Sequence, residues 1–245
     1  MTSALRTVTF GDLDAGVWGV VWGAEEPFVA LGLVDGAELP CSRAALEGVG
    51  VGEDWRITTE RGELTVTAQG DAAAASAPSG FDQLCRVRGR VLLDGEEKAV
   101  DCLGRRGSRI ERPDFRRFAS LRDVSAWFEP DEGISLVSLR PRKASGHSDD
   151  VMAAALFAPS ATVAVAEPRL STTYTAAGVP SRLSLELWLD DADEETAQYP
   201  RRAAGEAIGA RARFRQGELD FSAELLRCHS QGREGAGVYL LVRAA

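Results

Sequence analysis

The densest group of side chains able to do chemistry lies between Gly104 and Arg122, where seven arginines fall within an otherwise acidic chain. Guanidinium forks hold carboxylate or phosphate through paired hydrogen bonds, so one reading is an anion site edged by Phe115 or Phe118. The other is a solvated loop whose arginines pair with Glu111, Asp114 and the chain's many other acids, and the net charge of −9 favours it. Arg106 and Asp114 stand out because they fall where a hairpin ends and a new segment begins.

Other constellations are sparse. A hydrolase triad needs a histidine base. His147 sits in a polar loop beside Asp149, and His229 follows Cys228, so the two would face opposite ways on a strand. Cys41, Cys85, Cys102 and Cys228 form no C-x-x-C pair and read as reduced, mostly buried thiols. Clustered zinc ligands are missing from the pattern, and the acidic run Asp190–Glu195 reads as a solvated turn rather than a cation site. Gly48–Gly52 lacks the spacing of a phosphate-binding loop. No metal and no cofactor is implied. Trp18 and Trp22 share a strand face among glycines, while Trp55, Trp127 and Trp188 lie in strand-like contexts. Such aromatics either line an apolar cavity or fill a core.

The elements that must position these residues are strands. Period-two alternation dominates. Trp55–Thr67 reads as two strands joined at Arg61-Gly62. Cys85–Leu93 and Glu96–Leu103 make the clearest hairpin, because Asp94-Gly95 between them accepts the positive φ of a tight turn. Asp35-Gly36 marks a turn after Phe28–Val34. Ala210–Arg215, Gln216-Gly217 and Glu218–Leu225 repeat the pattern, and Leu183, Leu185, Leu187 and Leu189 share one face. Two short helices are expected: Val151–Phe157, capped by Ser148–Asp150 and stopped by Pro159, and Cys41–Leu46 with Ser42 as its cap. Gly70–Gly80 reads as a flexible low-complexity loop. Arg140–Asp150 reads as the junction between two β-units, 1–140 and 150–245. Glu60–Ala68 echoes Arg215–Ala223, from either an internal duplication or shared turn chemistry.

Composition narrows the function classes. The chain has 245 residues, 44% hydrophobic and 27% charged, enough for a sizeable core. Its acidity argues against nucleic acid and against an anionic membrane surface as partner. Met1–Phe10 has no leader pattern, and no apolar run approaches the roughly eighteen residues of a membrane span, so a cytoplasmic protein without membrane insertion is expected.

The hairpin Val87–Leu103, running into Gly104-x-Arg106-x-Ser108, resembles part of the lipocalin-related family of hydroxyneurosporene synthase (a carotenoid hydratase) and tocopherol-cyclase-like proteins. In that family the hairpin leads into a G-x-R-x-H-S-W-G-like segment, and a later strand returns an aromatic, here within Ser125–Phe128. Gly107 and Arg109 stand where the family pattern has His and Trp. The resemblance implies two lipocalin-like barrel or sandwich halves packed side by side. It also implies a cavity for an isoprenoid-like or polyketide-like molecule that is hydrated, isomerised or cyclised without a cofactor. On this reading Arg106 anchors a polar group, Trp127, Tyr174 and Trp188 line the pocket, and Asp114 is the candidate acid, with Asp101 as an alternative. A burial-raised pKa would be required of either. The rivals are a non-catalytic carrier of the same fold and a structural or interaction module.

Overall fold

Side chains on a strand alternate between two faces, so a chain of alternating strands can close only if one face finds an interior. The computed structural model describes residues 4–34, 39, 41–76, 79–110, 112–159, 161–189 and 199–244. Two antiparallel meanders close into two eight-stranded barrels. The first comprises β1 (Leu5–Asp12), β2 (Val17–Gly23), β3 (Phe28–Leu33), β4 (Cys41–Glu47), β5 (Trp55–Thr59), β6 (Gly62–Ser76), β7 (Ser79–Leu93) and β8 (Glu96–Arg109), with β8 closing on β1. The second comprises β9 (Phe118–Glu129), β10 (Glu132–Pro141), β11 (Val151–Ala158), β12 (Ala161–Tyr174), β13 (Pro180–Leu189), β14 (Arg201–Gln216), β15 (Leu219–Ser230) and β16 (Arg233–Ala244). There β16 closes on β9.

The expected all-β, two-unit plan is what the chain adopts, as closed barrels rather than sandwiches. The tight turn at Asp94-Gly95 is present, with φ of 50° and 81°. Leu183, Leu185, Leu187 and Leu189 all pack inside the second barrel. Four expectations change. Val151–Phe157 is strand β11, because pairing with β10 from Leu139 to Gly133 overrides the helix propensity of its alanines. Cys41–Leu46 is strand β4, paired to β3 and β5. The chain passes from one barrel to the other at 110–117, since β9 and β10 pair with β16 and β11; the 140–150 segment lies within the second barrel. Gly70–Ser76 continues β6, with a bulge between Gln69 and Ala73. The echo matches β6, sixth in its meander, to β15, seventh in the other, so it does not lay one barrel on its counterpart. Asp35-Gly36, Glu111 and Asp190–Glu195 lie outside the described residues.

An apolar cluster joins the barrels: Trp22 and Phe28 of the first meet Phe214 and Phe221 of the second, with Trp22 and Phe221 centroids 4.5 Å apart. Beside it lies a buried ion ladder. Arg105, 0% exposed, donates Nη1 to Asp82 Oδ1 at 2.7 Å and Nη2 to Asp123 of the other barrel. Arg109 Nη2 grips both Asp82 oxygens, at 2.9 and 2.8 Å. The Thr9 and Ser125 hydroxyls, 2.8 Å apart, add a further link between barrels.

Burial pushes the Asp82 pKa up, but Arg109 and Arg105 outweigh it and hold the carboxyl below its ordinary value of 3.8. A folded-state pKa below the unfolded one gives stability that is complete above about pH 4 and lost as pH falls through the folded value. We expect the urea midpoint to fall steeply below about pH 4, and Asp82→Asn to flatten that acid limb. At neutral pH, Arg105→Met should cost about 3–5 kcal/mol by leaving the buried Asp123 carboxylate uncompensated, and an unchanged midpoint would refute that role.

Candidate functional site

Each barrel was a possible container, and each holds a packed apolar core. The first is filled by Trp55, Ile57, Leu64, Val66, Val87 and other buried side chains. Arg106 closes one end of it. From β8 its guanidinium donates to Gln83 Oε1 at 3.0 and 2.7 Å, to the Glu53 carbonyl at 2.6 Å and to the Val51 carbonyl, while lying 5.1 Å over Trp55. The glycine-rich loop at 48–52 is thereby pinned over the barrel, with Trp55 Nε1 donating to the Gly50 carbonyl at 2.9 Å.

Asp114 lies in the segment between β8 and β9. It accepts from the Arg116 amide and Nε at 3.0 Å and from Nη2 at 3.1 Å. These bonds hold its carboxyl below the ordinary value, so neither burial nor a raised pKa equips it as an acid. Asp101 is likewise lowered, chiefly by the Arg86 side chain. Trp127 is buried between the barrels and donates Nε1 to the Gly11 carbonyl at 3.0 Å. Trp188 lies on the outer face of β13 with the Arg169 guanidinium 5.7 Å from its ring. Arg106, Asp114, Trp127 and Trp188 therefore occupy four separate places.

Tyr174 is different. Strands β11 and β12 pair only from Ala155–Ala158 to Ala161–Ala164, after which β12 runs along β13 and carries Tyr174 to the end of the second barrel. Its hydroxyl is 3.2 Å from that of Tyr239, whose pKa is raised by burial and by Tyr174 itself. At this end a cavity of about 490 Å³ opens between the Ala177–Val179 loop and strands β14 to β16. Arg213, Glu224, Leu241 and Arg243 contribute to its wall. Glu224 is 1% exposed, and its Oε1 is 3.6 Å from Arg211 Nε. In register it stands opposite both Arg211 and Tyr239. Arg122, opposite Leu241 on β9, donates to Ser138 at 3.0 Å and to Asp150.

Sequence reasoning passed over Glu224. The signal was present: Ser222, Glu224, Leu226 and Cys228 alternate on one face of β15, and Leu226 and Cys228 are interior residues. A glutamate in that series has to enter the barrel. Among the described residues no group of three or more His, Cys, Asp or Glu could hold a metal. The four cysteines form no disulfide with one another, and burial pushes Cys85, Cys102 and Cys228 up to about 12.

Comparison with solved structures places this geometry in a structural class, the lipocalin-like two-barrel fold. No family profile and no curated protein matches the chain. Its structural neighbours include kievitone hydratase from Nectria haematococca, at 9% identity and TM-score 0.62, covering 100% of this chain and 89% of that one. CghA with Sch210972 matches at 12% identity and TM-score 0.67, over 99% and 89% of the two chains. An AttH-like protein from Nitrosomonas europaea matches at 11% and 0.62, over 99% and 92%. At these identities the likeness is one of fold.

The family segment that the hairpin resembles has its histidine where this chain has Gly107. A Cβ there would meet Asp82 Oδ1 at 2.5 Å and Arg105 Nη1 at 2.8 Å. Arg109, in place of the tryptophan, is the second ligand of Asp82. Both departures therefore serve the ion ladder.

Arg106→Met should release the 48–54 loop. We expect faster proteolysis there and a loss of about 2 kcal/mol or more in urea unfolding, with any ligand binding at the second barrel unchanged. Loss of that binding would place Arg106 in the site instead.

Proposed function

We propose that the protein binds a lipophilic small molecule, isoprenoid-like or polyketide-like, at the open end of the second barrel and hydrates, isomerises or cyclises it without a cofactor. The observation that carries this reading is the cavity of about 490 Å³ with a buried carboxylate, Glu224, in its wall. Its size falls within the range typical of small-molecule sites. The neighbours lend support: one bears the name of a hydratase, and another was solved with a small molecule. Glu224 is the group able to move a proton to or from a substrate held against Leu241, as general acid or base. Tyr174, paired with Tyr239, offers a hydroxyl at the rim.

The rival reading is a carrier of the same fold, and the replacement of the family's His and Trp by Gly107 and Arg109 favours it. Native mass spectrometry of protein purified from its host, with organic extraction, separates these readings from an empty module. A retained lipophilic molecule then becomes the substrate for turnover assays. We expect Leu241→Trp, which fills the cavity, to abolish retention. Glu224→Gln should keep retention and lower turnover by about a hundredfold, in line with the loss of a proton-transfer group. Retention by the unaltered protein without any turnover establishes the carrier; no retention and no binding across isoprenoid and fatty ligands removes both.

A further inference from the structure

The cavity wall is cationic in a chain whose net charge is −9. Arg213, Arg215 and Arg243 line it against two carboxylates, Asp220 and Glu224. Register explains the clustering. Arg213 stands opposite Ser222 and Ser222 opposite Leu241, while Arg215 stands opposite Asp220 and Asp220 opposite Arg243. Alternate positions of three neighbouring strands thus deliver their charges to one rim. The acids already face arginines: Asp220 Oδ1 lies 3.5 Å from Arg215 Nε, and Glu224 Oε1 lies 3.6 Å from Arg211 Nε. Arg243 makes no ion pair among the described residues. Apolar surface from Val179, Phe214 and Leu241 lies within the same wall.

Resting on the cavity assigned above, we infer that its ligand is an amphiphile with a single carboxylate head, received by Arg243 at the rim, and an apolar body against Leu241 and Phe214. A guanidinium matches a planar carboxylate through two parallel hydrogen bonds. A doubly charged phosphate head is less suited, because Asp220 and Glu224 would repel its second charge. The positive rim also draws an anionic ligand toward a protein that otherwise repels it.

The test compares dodecanoate with dodecanol, both below their aggregation thresholds, by titration calorimetry on the full chain. The expected result is dodecanoate binding about tenfold more tightly than dodecanol, the factor given by one charge-assisted contact. Arg243→Ala should erase that difference by weakening dodecanoate alone, and Arg243→Lys should restore part of it, with circular dichroism unchanged in both. Equal affinity for the two probes, or an Arg243→Ala loss shared equally by both, overturns the carboxylate contact while leaving the cavity as a binding site. Failure of both probes to bind the unaltered protein overturns the cavity assignment and this inference together. Preference for dodecyl phosphate over dodecanoate overturns the single-charge argument.

Discussion

The arrangement of the two barrels depends on one buried guanidinium. Arg105 leaves β8 and binds a carboxylate from each barrel, Asp82 on β7 and Asp123 on β9. The neighbouring aromatic cluster buries more apolar surface, but burial of that kind has no direction and would tolerate a shift of one barrel across the other. Charges in a low-dielectric interior do not tolerate such a shift, since a displaced partner leaves an ion without compensation. The ladder therefore fixes the docking that the aromatic contacts stabilise. Arg109, by sharing Asp82, keeps that carboxylate in place for Arg105.

This arrangement separates the tasks of the two barrels. The first is a packed body, sealed by Arg106 and its loop, and its β1, β2 and β3 supply Trp18, Trp22 and Phe28 to the joint. The second turns β9, β15 and β16 outward to the same joint through Leu225, Val238, Leu240 and Val242. Their alternate residues, Arg122, Glu224 and Tyr239, face inward as a consequence. Docking and lumen are thus opposite faces of the same three strands, and a cavity opens at the end of the lumen beside the Ala177–Val179 loop.

Much of the fold was legible because alternation and turn chemistry act locally. Asp94-Gly95 fixes its hairpin by backbone conformation alone, and the leucines of β13 reveal their inner face by spacing. The helix expected at Val151–Phe157 failed because alanine's propensity is weak beside a full ladder to β10, whose sequence lies elsewhere in the chain. The boundary failed for a related reason: a loop rich in polar residues inside a meander looks like a junction between units. The arginine stretch was read as mostly solvated, yet Arg105, Arg106, Arg109 and Arg122 are buried. Net charge could not reveal this, because their partners Asp82, Asp123 and Asp150 are distant in sequence. The candidate residues were chosen by type, and none of them lines the cavity, although Tyr174 meets Tyr239 at the same end of the barrel. Glu224 was hidden by its ordinary appearance in an alternating strand.

Gly107 carries a consequence for how this sequence can change over time. Its missing side chain is the space in which Asp82 and Arg105 meet, so a residue with a Cβ cannot enter before that pair has moved. A histidine at 107 would push Asp82 and Arg105 apart and so loosen the joint between the barrels. Position 107 is therefore coupled to 82, 105 and 109, and the effect of a side chain there depends on the residues at the other three.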